Sequence, residues 1–215
     1  MDPTETTVAA VREVGTDAVA IEVVTPEEFS ARPGQFVKLS ATIGGESVSR
    51  FYTVSSIDTE GTFELTISYD PDEGGAFSEY LLSIAPDDPI TIAGPFGSDY
   101  YEGEPRVVVL AGGPGVGPAV AIAEAALADG GEAVVIYRDD NPIHEDRLAE
   151  LATAGATVFV LSESTALTDA VADALTLDDG EQVFVYGFAD FLEDADAAIE
   201  AAGGSPKAAK SENFG

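Results

Sequence analysis

Two short stretches hold residue types that could do chemistry. Residues 111–118 read AGGPGVGP, directly after the apolar run RVVVLAG. Gly113, Gly115 and Pro118 form a GxGxxP pattern with Pro114 and Val116 between them. Glycines at such a turn let the backbone approach a pyrophosphate, and a proline in the first helical turn forfeits no hydrogen bond. The third glycine of the ordinary dinucleotide fingerprint is missing, so the turn also reads as a tight strand-to-helix connection without a ligand. Residues 50–56 read RFYTVSS. Arg50 places a cation at the head of a strand, followed by Phe51, the flat face of Tyr52 and the hydroxyl of Thr53. One hairpin later, Gly74 and Gly75 precede a helix that opens with Ala76, Phe77 and Ser78, where free N–H groups suit an anion. A charged hydrogen bond from Arg50 to that anion contributes ~1.5–3 kcal/mol. By spacing alone, Arg50 reads equally well as a surface residue and Tyr52 as a packed strand side chain.

The elements that must position these residues fall into two halves. The first hundred residues carry short alternating or β-branched runs, TTVAAVREV, AVAIEVV, QFVKLSATI, VSRFYTVSSI, TFELTISY and PITIAG, separated by turn signals such as RPGQ and DTEG. They predict a closed antiparallel β-barrel of Greek-key type, capped by one short helix, AFSEYLLSI. After GPFGSDYYEGEP, uniform apolar strands (RVVVLAG, EAVVIY, TVFVL, QVFVYG) alternate with helical stretches. That pattern predicts a doubly wound parallel sheet covered on both faces. The boundary is expected near residue 103, giving domains 1–103 and 104–215, and the tail KAAKSENFG is expected to add a last short strand.

Composition excludes several classes. Nine lysines and arginines face forty aspartates and glutamates, for a formal net charge of -31. No basic cluster exists to displace counterions from phosphates, so nucleic acid and acidic membranes are not expected partners. The acids are scattered between apolar segments, and 45% of the residues are hydrophobic, as in a folded protein with an acidic surface. This balance resembles proteins adapted to a salt-saturated cytoplasm, an extreme halophile's, where a Debye length of ~3 Å screens self-repulsion. With no cysteine there is no disulfide, thiolate metal site or cysteine nucleophile, and no metal is implied. The N-terminus MDPTETTVAAV lacks the pattern of a targeting signal, and the chain reads as soluble and cytoplasmic. His144, the one histidine, lies in the loop NPIHEDR and reads as a surface residue; GxSxG does not occur.

The ordered set PGQF, RFYT, GGAFSEYL, GPFG, AGGPGVGP, YGF and ENFG resembles the ferredoxin-NADP reductase superfamily over nearly the whole chain, from about Pro33 to Gly215. The resemblance implies an FAD-binding barrel followed by an NAD(P)-binding domain. Arg50 would meet the flavin pyrophosphate, Tyr52 would pack along the isoalloxazine, and Thr53 would place its hydroxyl near N5. Ile67, Ser68 and Tyr69 would line the ribityl and adenine side, and Gly74 to Ser78 would be the second pyrophosphate contact. Gly113, Gly115 and Pro118 would face the nicotinamide nucleotide, while Glu212 and Phe214 would close over the flavin ring. The implied activity is hydride transfer from nicotinamide to flavin N5, then electron transfer to a separate acceptor such as a 2Fe-2S ferredoxin or an oxygenase component. An electron-transfer subunit of a larger enzyme and a non-catalytic dinucleotide-binding module are the alternatives. Two departures stand out. Tyr186 occupies the position where the family usually has a cysteine beside the nicotinamide, and Glu163 follows Ser162 where NADP-specific members often carry arginine. A carboxylate there would repel a 2′-phosphate, which favours NADH over NADPH, with Arg138 or Arg147 as the remaining cations within expected reach of a phosphate.

Overall fold

The computed structural model describes residues 1–69 and 75–215. The first sheet has six strands: β1 (Thr4–Gly15), β2 (Ala18–Val24), β3 (Phe36–Ile43), β4 (Glu46–Thr53), β5 (Thr62–Ser68) and β6 (Pro89–Phe96). Alternation sends Ile21, Val23, Leu39, Leu65, Ile67 and Ile92 to one fully buried face. Strand order is β4-β3-β6-β1-β2-β5, with every pair antiparallel. β1 turns the corner by pairing β6 through Thr4–Thr7 and β2 from Val8 onward, with register shifts in the second ladder.

The curled sheet is barrel-like but not closed, unlike the closed barrel predicted from the strand pattern. Its edges β4 and β5 meet through one bridge, Val54↔Leu65, and a hydrogen bond from the Ser55 amide to the Glu64 carbonyl. Helix α1 (Ala76–Leu82) packs Phe77 and Leu81 into the core at this end, so the Arg50–Thr53 end of β4 stands apart from β5.

The second sheet is fully parallel, in the order β11-β10-β7-β8-β9. Its strands are β7 (Arg106–Gly112), β8 (Glu132–Arg138), β9 (Thr157–Leu161), β10 (Glu181–Gly187) and β11 (Lys210–Asn213), the last from the C-terminal tail. Val107 to Ala111 are completely buried, as expected of a strand covered on both faces. Helices α2 (Val116–Ala128) and α3 (Glu145–Ala154) contribute to the core on one face, α4 (Thr168–Ala174) and α5 (Ala189–Ala201) to that on the other. The chain winds outward from β7 through β8 and β9, then crosses to β10 and β11. The reversal opens a crevice at the carboxyl ends of β7 and β10, where open α/β sheets bind ligands. No helix among the described residues is long and apolar enough to cross a membrane, and no acid or histidine cluster among them is arranged to hold a metal.

Candidate functional site

The opening between β4 and β5 faces the crevice of the parallel sheet. On the barrel side, the period of two separates Arg50 and Tyr52 from Phe51. The Arg50 side chain is exposed, with Nη1 donating to the Ser49 carbonyl at 3.0 Å. A Cβ placed on Gly75 would lie 3.9 Å from Arg50 Nη2, so the guanidinium hangs beside the first turn of α1. Gly75 is the N-cap there and offers no side-chain cap. Among the described residues no carboxylate pairs with Arg50. Gly74 lies outside the described residues. Ala76 is exposed and Ser78 half-buried, whereas the Phe77 ring is in the core and leaves only its main chain to this turn.

Tyr52 is half-buried, with its ring 6.3 Å from Phe77. Burial raises its phenol above the ordinary value against the opposing pull of Ser78 and Arg50, so it stays neutral. Thr53 is buried, and its Oγ1 donates to Glu212 Oε2 at 3.0 Å, joining β4 to β11. Burial and, more weakly, Asp99 push the Glu212 carboxyl up to about 7, opposed by the Thr53 hydrogen bond. Ile67 points into the barrel core, so only its main chain is available to a ligand; Ser68 and Tyr69 are half-buried at the end of β5. Phe51 is 59% exposed on the outer face, edge-on to Phe36 at 5.5 Å and Phe96 at 6.1 Å. Its ring is therefore on the side of the strand away from Tyr52, and its place in a ligand site would be through its backbone.

At the crevice, Gly113 adopts φ +54, and a Cβ there would meet open space. Gly115 is held against β10 so closely that a Cβ would collide with the Tyr186 carbonyl. Val116 and Pro118 are buried and Pro114 is half-buried, so this turn presents main chain rather than side chains. Tyr186 pairs in register with Glu212 but is only 1% exposed. Its hydroxyl donates to the Asp99 carbonyl at 3.3 Å, and a Cβ on Gly34, itself at φ +96, would lie 2.5 Å from that oxygen. The phenol thus reaches across to the barrel, and burial raises its pKa far above the ordinary value. Phe214 is anchored by its amide to the Gly187 carbonyl at 3.0 Å, with its ring 6.5 Å from Tyr186 and edge-on to Phe188 at 6.1 Å.

Three cations and the histidine differ from or extend the sequence reading. His144 is 2% exposed rather than on the surface; it takes φ +57 at the N-cap of α3 and sets Nε2 2.8 Å from Thr66 Oγ1. Arg147 is not free for a phosphate: it binds Glu124 through Nε and Nη2 and Glu64 through Nη1 at 2.7–2.8 Å. Arg12 completes that network on Glu64 at 2.8 Å. Arg138 is engaged too, paired with Asp194 at 2.8 Å and lying over the Phe191 ring. At the end of β9 the Glu163 amide donates to Asp140 Oδ1 at 2.9 Å, which ties these two acidic residues together. No local pattern announces His144 or Arg147, because Thr66, Ser55 and Glu64, which they bind, come from the other half of the chain.

The residues at the opening fit FAD on structural grounds: an exposed guanidinium beside a glycine turn, a half-buried phenol face, and a hydroxyl joined to an acid. Comparison with known proteins agrees. Residues 5–101 match the family described as oxidoreductase FAD-binding domain. The chain is 34% identical over 119 residues to the toluate 1,2-dioxygenase electron transfer component of Pseudomonas putida, a match covering 54% of this chain and 34% of that one. It is 35% identical over 139 residues to NADH-cytochrome b5 reductase 1 of Mycosarcoma maydis, covering 60% of this chain and 42% of that one. The matches thus span well under half the length of these curated relatives. A crystal structure of a ferredoxin NADP+ reductase from Neisseria gonorrhoeae with bound FAD and NADP superposes with a TM-score of 0.82 at 19% identity, over 100% of both chains. That likeness establishes the two-domain fold.

Proposed function

Because residues 5–101 match the oxidoreductase FAD-binding domain family and the chain shares the two-domain fold of a ferredoxin NADP+ reductase, we propose that the protein is an FAD-dependent NAD(P)H reductase serving a separate electron acceptor. The observation that carries the proposal is the Thr53–Glu212 hydrogen bond, which joins the barrel opening to β11, beside the β10 strand that packs against the Gly113–Gly115 turn. Bound FAD would supply the chemistry, accepting a hydride at N5 from nicotinamide C4 and passing the electrons on.

The chain's own residues bind, orient and supply a proton. Arg50 and the Gly75–Ser78 turn hold the flavin pyrophosphate, Tyr52 lies along the ring system, and the main chain of Ile67 to Tyr69 lines the ribityl side. The Gly113–Pro118 turn, open at Gly113, receives the nicotinamide nucleotide. Glu212, half-protonated near neutrality, accepts the Thr53 hydroxyl proton when ionised and can donate to that oxygen when protonated. Tyr186 acts as a positioning residue by holding β10 against Asp99, and Phe214 closes the cleft from the tail. In this assignment residues 1–103 bind flavin and 104–215 bind nicotinamide.

Asp140 and Glu163 favour NADH over NADPH, since neither Arg138 nor Arg147 has a free guanidinium to offset their charge. The acceptor is a separate redox protein, a 2Fe-2S ferredoxin or an oxygenase component, and the exposed rings of Phe51 and Phe96 beside the Thr53 strand offer it an apolar approach. We place the protein in the cytoplasm, where NADH and such acceptors are found. Purification in molar KCl should give a yellow protein that anaerobic NADH bleaches faster than NADPH. A colourless preparation that gains no flavin on incubation with FAD would refute the assignment. A yellow one that neither nucleotide bleaches would make it an electron-transfer subunit fed by another donor.

A further inference from the structure

Ser55, two positions beyond Thr53, is gripped twice by α3 of the nucleotide domain. Arg147 Nη1 donates to the Ser55 carbonyl at 2.9 Å. His144 reaches the Ser55 side chain through Thr66, whose Oγ1 lies 2.8 Å from His144 Nε2 and 2.9 Å from Ser55 Oγ. Ser55 Oγ in turn donates to the Thr53 carbonyl at 3.4 Å and accepts the Thr66 amide at 3.2 Å.

The buried ring sets the direction of this chain. The direction that leaves no N–H buried without an acceptor has His144 Nε2 donating to Thr66 Oγ1, Thr66 to Ser55 Oγ, and Ser55 to the Thr53 carbonyl. His144 Nδ1 is then a bare lone pair, and it is one of the buried atoms without a partner among the described residues. Burial, with Arg147 and Arg12 nearby, holds the ring's pKa at about 3, so a neutral imidazole keeps this direction at ordinary pH.

The same two hydroxyls seat the nucleotide turn. α2 begins at Val116 directly after Gly113–Gly115, and a Cβ on Gly117 would lie 2.5 Å from both Ser55 Oγ and Thr66 Oγ1. Only a residue without a side chain lets α2 rest there. We propose that Ser55, Thr66, His144 and Gly117 form a spacing contact that sets the nucleotide-binding turn at one fixed distance from Thr53, so that these four are positioning residues for hydride transfer. The proposal rests on the flavin reductase assignment, and it implies that the two domains meet in a preset register rather than closing on substrate.

The test uses Gly117→Ala, His144→Gln and His144→Leu. Gln keeps a donor near the Nε2 position, whereas Leu removes it. In single-turnover reduction by NADH, Gly117→Ala and His144→Leu should slow flavin bleaching about 10- to 100-fold, the scale of an ångström-sized misplacement. FAD retention, and in the His144 variants NADH Kd, should stay within about twofold, and His144→Gln should restore most of the rate. A second readout needs neither flavin nor activity. In flavin-free protein, His144→Leu should speed hydrogen exchange of the Val54 and Ser55 amides about tenfold, and His144→Gln should not.

Wild-type bleaching rates in folded Gly117→Ala and His144→Leu would overturn the proposal, as would equal slowing by Gln and Leu. Should Gly117→Ala fail to fold, the His144 pair decides. If the protein binds no flavin, the assignment of function fails, and unchanged exchange in His144→Leu would separately dispose of the grip.

Discussion

Glu212→Gln tests whether the acid at the cleft supplies a proton. With its carboxyl pushed up to about 7 by burial and Asp99, Glu212 passes from mostly protonated to mostly ionised across neutrality. When protonated it can donate to Thr53 Oγ1, freeing the threonine proton to point at the flavin; when ionised it can only accept that proton, as at 3.0 Å here. If flavin reduction follows the protonated fraction, its rate should fall about tenfold between about pH 6 and about pH 8. Glutamine should flatten the profile while retaining a side chain of the same size. Stability gives an independent sign. A carboxyl raised above its ordinary 4.5 binds its proton more tightly in the folded state, so this contribution is present below 4.5 and is lost as pH climbs to about 7. Glu212→Gln should remove that part of the acid-to-neutral decline in thermal stability. Stopped-flow bleaching by NADH and melting curves at matched pH measure the two effects. A variant whose rate still titrates near neutrality would refute the role given to Glu212.

Arg50→Ala should weaken FAD binding about 10- to 100-fold, corresponding to the ~1.5–3 kcal/mol of one charged hydrogen bond, while Arg12→Ala should leave it nearly unchanged. Fluorescence titration of the flavin-free protein checks this, and equal retention by both variants would remove Arg50 from the site. Arg147→Ala should cost about 3 kcal/mol because it leaves the buried Glu64 carboxylate with Arg12 alone and takes the partner from the half-buried Glu124; a melting temperature lowered by less than about 2 °C would contradict it. Thermal stability should rise strongly between dilute buffer and molar KCl, since forty acids against nine cations repel one another unless screened. The Arg147→Ala deficit should be nearly the same at both salt concentrations, because solvent ions do not reach a buried network.

Much of this arrangement was legible in local pattern. Strand alternation and the strand-turn-helix context of AGGPGVGP located both halves and the tail strand, because each is written within a few consecutive residues. The same alternation places Phe51 opposite Tyr52 and turns Ile67 inward, but it also puts Thr53 on the face of Phe51, so counting twos alone does not sort the site residues. His144 and Arg147 were not legible, since a loop histidine and a helical arginine carry no period and their partners Thr66, Ser55 and Glu64 lie far off in the chain. The direction of Tyr186 was hidden likewise: its phenol finds space only because Gly34, from a barrel turn, has no side chain. Incomplete barrel closure could not be read either, as it depends on how α1 fills the end.

The parallel sheet ends in two short strands, β9 of five residues and β11 of four. At molar salt the acidic coat no longer keeps neighbouring molecules apart, and unpaired strand edges become the places where chains would join. An edge of four or five residues offers too few hydrogen bonds to template a partner. Resistance to aggregation in brine would then lie in the geometry of the backbone, and lengthening either edge by design should make the protein precipitate from high salt before it loses its fold.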